Sequence, residues 1–208
     1  TAGYIRYEHS YGPLARPAPG DDVTLEQLSA INFVVQDGQV PYVDMAIWGP
    51  YGHRLERKLK FTGSAFTADG TLQQLEVLGP PTFEKWCSSY AVMSTAFIML
   101  NIMDLGVLAG YKAMMERYHS RYGPATWLML YQADTRCRLE LAMRTKRRLA
   151  MEHDVAVNAG RTTLFDPARP WNYTWAVLVQ DIQWWQVEYI EPAMLLLTRT
   201  ANLSSLVT

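Results

Sequence analysis

The residues best placed to do chemistry in this chain are cationic. Arg136, Arg138, Arg144, Lys146, Arg147 and Arg148 fall within one expected helix. At about 100° per residue, Arg136, Arg144, Arg147 and Arg148 lie within about 120° of one another and share a face. Such a stripe can track a phosphate backbone, RNA or DNA, or an acidic protein partner. The competing reading is a solvated face, because Glu140 stands four residues from both Arg136 and Arg144 and can pair with either. His53, Arg54, Arg57, Lys58 and Lys60 form a second basic cluster, whose meaning depends on whether it folds beside the first.

Catalytic material is thin. His9, His53, His119 and His153 are scattered, and none has metal-site spacing with Cys or a second His. Asp44 with His53 or Glu56 offers an acid/base set, and Cys137 with His119 a thiol pair, but each needs a proximity that only folding supplies. A Cys in the middle of a helix is ordinarily a small buried hydrophobe. The chain has no nucleophile elbow, phosphate loop, zinc-spaced cluster or dinucleotide fingerprint, so the sequence assigns no catalytic residue, no metal and no cofactor. Four of the seven Trp lie between positions 171 and 185. Trp184 and Trp185, adjacent on a helix, cannot both face one core, which makes them candidate interface anchors; stacking on nucleobases is the alternative.

The elements that must carry these residues are mostly helical. Phe83, Trp86, Tyr90, Met93, Phe97 and Leu100 form one stripe at steps of three and four, and Leu108, Tyr111, Met115, Tyr118 and Tyr122 the next. Two such helices joined by a short connection predict a hairpin. Thr82 is the expected N-cap of the first, and Asp104 reads as a helix cap after it. A further long helix is expected from Pro124 to about His153. Thr24 caps a shorter helix carrying Leu25, Leu28, Ile31, Phe33 and Val34, which ends near Asp37-Gly38. Asp69-Gly70 between apolar runs predicts a β-hairpin near 58–78. The prolines and glycines of residues 1–22 predict an extended arm, leaving 23–208 as a single mainly helical domain.

With 208 residues and 49% apolar content, the chain can bury a substantial core. A net charge of −1 and a pI near 6.4 exclude a wholly basic nucleic-acid binder, so any such site must be local. Two Cys residues do not form the dense framework of a small secreted domain, and the expected setting is intracellular, nuclear or cytoplasmic. From Trp86 to Tyr111 the only charge is Asp104, but Ser88, Ser89, Ser94, Thr95 and Asn101 also interrupt the run, which favours buried helices over a membrane span of roughly 20 residues. The first residue is Thr, as expected of a piece of a longer chain.

Several strings together resemble an uncharacterised family of dinoflagellate proteins: VPYVDMAIWGPYGHRLERKLKFTG, GPPTFEKW, ERYHSRYGPATWLMLYQADTRCRLE and LFDPARPWNYTW. The resemblance covers about residues 38–190. Members often continue into Cys/His segments that look like zinc fingers, and their number implies a mobile-element origin. A helical domain followed by a zinc knuckle is similar in plan to the capsid-like protein of retroelements. This chain departs from that plan, because it contains no Cys/His segment. No site residue carries over from the family.

Taken together, these features lead to the expectation of a mainly α helical bundle with a small β-hairpin and an extended N-terminal arm. It would act as a non-catalytic interaction or assembly module, capsid-like and associated with nucleic acid through the local basic face, with self-association or a protein partner. The alternatives are a structural subunit of a larger complex and an enzyme whose site is assembled from residues remote in sequence.

Overall fold

A computed structural model describes residues 2–50 and 58–205. Local sequence rules account for most of its elements. Thr24 accepts from the Gln27 backbone N–H while the Gln27 side chain accepts from the Thr24 N–H, a reciprocal capping box that opens α2 (Leu25–Gln36). Gly38, at φ 73°, follows its last turn. The Asp69-Gly70 turn, with Gly70 at φ 80°, joins β1 (Lys60–Phe66) to β2 (Leu72–Leu78), antiparallel with Lys60 opposite Leu78 and Phe66 opposite Leu72. The Thr82 hydroxyl accepts from Lys85 N–H and opens α3 (Phe83–Met99).

The core is built around α3. Trp86, Tyr90, Met93 and Phe97 are fully buried, and Leu100 is half-buried. The partner stripe lies on α4 (Leu105–Tyr122), where Leu108, Tyr111 and Met115 are also fully buried. The helices meet as the hairpin the spacing predicts: Tyr90 stacks on Trp86 at 4.6 Å and donates its hydroxyl to Leu108 O at 2.9 Å. Among the described residues no helix is long and apolar enough to cross a membrane. Asp104 occupies the N-cap position of α4 but makes no cap bond. Its carboxylate instead accepts from Arg169 at 2.7 Å and Asn172 at 2.8 Å, tying the α3–α4 turn to the helix that follows Arg169.

The expected long helix from Pro124 is one nearly continuous rod in three parts: a 3₁₀ turn (Pro124–Thr126), α5 (Trp127–Arg136) and α6 (Ala142–Asn158), with a π turn over Cys137–Leu141 between the helices. The chain closes with α7 (Pro170–Gln180), α8 (Ile182–Trp185), a second π turn over Gln186–Ile190, and α9 (Glu191–Ser205).

Residues 2–11 correct the sequence reading of the arm, while 12–22 hold neither helix nor strand, as expected. Residues expected to be extended form α1 (Ala2–Tyr11), which packs on α3 with Tyr7 buried and Arg6 donating to Met99 O at 2.6 Å. The physical reason is positional. The first breaker that ends the helix is Gly12, at φ 115°, and all the prolines of the segment come after it. The Arg6 bond supplies one of the carbonyl partners that α3 lacks at its C-terminus.

Candidate interaction surface

The basic segment divides into a buried half and an exposed half. Arg138 is enclosed, only 1% exposed. Its guanidinium donates to both Asp134 oxygens, Nε to Oδ1 at 3.0 Å and Nη2 to Oδ2 at 2.8 Å, and Nη1 donates to Val43 O at 2.8 Å. The Tyr42 ring lies 5.1 Å away. Asp134 also accepts from Trp86 Nε1 at 3.0 Å and Tyr111 Oη at 2.9 Å. A buried ion pair is tolerated when its polar atoms find partners, and here each guanidinium nitrogen and both carboxylate oxygens have one. This node fastens α3, α4, α5 and the segment around Val43 to the start of the π turn, which fixes where α6 points.

The four arginines of the predicted stripe fare differently. Arg136 is paired with Glu188 and lies 3.6 Å from Glu140. Arg148 pairs with Glu152 at 2.9 Å. Arg144 and Arg147 are exposed and have no ion-pair or hydrogen-bond partner among the described residues. The π turn lies between Arg136 and Arg144, so the regular 100° step does not relate them. Lys146 donates to Gly38 O at 2.9 Å and sits 4.9 Å over the Trp171 ring. In the second basic cluster, Lys58 pairs with Asp44 and Lys60 with Glu76, each at 3.1 Å; His53, Arg54 and Arg57 lie outside the described residues.

What sequence reasoning missed is the apolar company these arginines keep. Ala142, Thr145, Leu149 and Ala156 turn inward, where α6 packs on α7. On the outer side of α6 Met143, Arg147, Met151 and Val155 recur every fourth residue and are exposed, Met151 at 70% and Val155 at 64%, and Leu139 of the π turn before them is exposed too. Residues four apart stack along one ridge of a helix, so apolar groups surround an uncompensated Arg147 over about 18 Å from Met143 to Val155. The signal was available in the sequence as apolar residues at a spacing of four within the basic stretch.

Trp185 is fully buried, donating Nε1 to Leu178 O at 3.0 Å and lying 5.4 Å from Tyr118. That enclosure takes it out of any docking surface. Trp184 is half-buried and packs edge-on against Trp185 at 5.0 Å. Adjacency does send the two rings to different environments, but the core claims one outright and part of the other.

Among the described residues the candidate thiol pair is held apart in role by its surroundings. His119 stacks on Phe83 at 4.6 Å, and burial pushes the Cys137 thiol far above its usual range, the opposite of what a nucleophile needs. Asp44 is engaged by Lys58 and the Ala46 N–H, while His53 and Glu56 lie outside the described residues. Among the described residues no three His, Cys, Asp or Glu side chains converge as a metal site. A cavity of about 650 Å³ lies between the hairpin and α5, lined by Tyr42, Asp44, Phe66, Tyr131, Arg136 and Glu188, and its three charges are all in ion pairs. Comparison with protein-family models, curated proteins and solved structures finds no match to this chain.

Proposed function

We propose that this chain is a non-catalytic assembly module that associates with further copies of itself through the outer face of α6. The observation that carries the reading is the exposed ridge of Met143, Met151 and Val155 around Arg147. Methionine and arginine are enriched at interface cores, and contiguous exposed apolar surface marks protein contacts. A net charge of −1 leaves little repulsion between copies. A phosphate backbone is the less favoured ligand, since two of the four stripe arginines already hold carboxylates and the apolar side chains would gain nothing from phosphate. The resemblance to an uncharacterised family, whose plan is similar to that of the capsid-like protein of retroelements, is in keeping with assembly as the role.

Sedimentation equilibrium of the full chain beside the Met151→Asp/Val155→Asp variant tests this. Both substitutions are on exposed positions, so the circular dichroism melt should hold. The expected result is a mass that rises with concentration for the wild type and stays monomeric for the variant. Equal masses for both overturn the reading. So does tight, salt-sensitive binding of a single-stranded oligonucleotide that is lost in Arg144→Glu/Arg147→Glu while the wild-type mass stays monomeric.

A further inference from the structure

We propose that the surface receiving the α6 ridge is the outer face of α2 on a second copy, in a reciprocal two-fold pair; this rests on the assembly reading above. α2 buries Ile31 inward. Outward, Leu25, Ser29, Phe33 and Asp37 recur every fourth residue and are all exposed, Leu25 at 79% and Phe33 at 74%. Two ridges of the same four-residue step interdigitate in the commonest helix–helix packing.

The two ridges are opposite in charge. Residues 25–37 hold two acids and no cation, whereas 139–155 hold four cations and three acids. Asp37, at the C-cap of α2, accepts only the neutral amide of Gln39 among side chains, at 2.7 Å, and Glu26 beside Leu25 has no cation partner among the described residues. On α6, Arg144 and Arg147 have no acid among them. Each face carries what the other lacks, and pairing across copies satisfies both.

The faces are also neighbours on one molecule. Lys146 holds Gly38 O at the end of α2, and a hollow of about 410 Å³ between the elements is lined by Val34, Gly38, Met143, Arg147 and Trp171. One patch therefore holds both halves of the contact. A patch of that kind is self-complementary: α6 meets α2 of the second copy while α2 meets its α6, and the pair closes at two chains.

Charge exchange between full-length chains tests the pairing. Arg147→Glu alone faces Asp37 with a like charge in both contacts, and Asp37→Arg alone faces Arg147 in the same way. Each variant should associate at least about tenfold more weakly than the wild type. An equimolar mixture of the two variants should recover a one-to-one pair. In one contact the carboxylate introduced by Arg147→Glu meets the guanidinium introduced by Asp37→Arg, and in the other the native Arg147 and Asp37 meet. A mixture no heavier than its components, in a chain whose wild type associates and whose Met151→Asp/Val155→Asp variant does not, overturns the α2 pairing and leaves assembly through α6 standing. A wild-type chain that stays monomeric overturns both.

Discussion

Asp134 and Arg138, one helical turn apart, form a bidentate pair inside the core, with Nη2 2.8 Å from Oδ2 and both side chains at most 1% exposed. The spacing of four places them on one helix face, and Trp86 and Tyr111 complete the acceptor set of the carboxylate. The guanidinium is held charged by the adjacent Asp134 despite the desolvation that opposes it. Removing one partner strands the other charge in the core. Asp134→Ala should therefore cost about 3–5 kcal/mol in chemical denaturation. A loss below about 1 kcal/mol would show that water reaches the site.

The cysteines should separate by reactivity. Cys87 is half-buried with its thiol pushed up by desolvation; Cys137 is fully buried and pushed up further by the same cause. Alkylation requires the thiolate, so the native chain should label slowly at Cys87, and Cys137 should label at the rate of global opening. Mass spectrometry of a time course reads both. Equal rates at the two positions would contradict the enclosed core.

Much of the fold was legible because local groups decide it. The Thr24 and Thr82 caps, the Asp69-Gly70 turn and the two apolar stripes each depend on residues within a few positions of one another. The candidate site was less legible because its partners are distant. Glu188 neutralises Arg136 across 52 positions, and Val43 O accepts from Arg138 across 95. Nothing local marks Arg138 as buried and Arg147 as exposed. The π turn also escapes a reading at a fixed 100° step. Trp185 went inward because α8 packs its ring on Tyr118 of α4, a tertiary fact.

The hairpin turn carries a pH signature. The Thr67 hydroxyl, then the N–H and hydroxyl of Thr71, hold the Asp69 carboxyl down to about 2. A carboxylate whose folded pKa lies below its unfolded value of about 3.9 stabilises the fold above that value, and the contribution disappears as pH falls through about 2. Side-chain NMR of Asp69 should show a midpoint near 2. A midpoint near the ordinary carboxylate value would mean that the turn bonds do not persist in solution.

Oxidation of Met151 measured against Met194 tests the assembly account most directly. Both are exposed, at 70% on α6 and 54% on α9, and thioethers react with peroxide in proportion to access. In dilute solution the two should oxidise at similar rates. As concentration rises, Met151 should become protected while Met194 keeps its rate, because copies cover the α6 ridge and leave α9 open. Met151 remaining as reactive as Met194 at every concentration would contradict the claim that this face joins one copy to another.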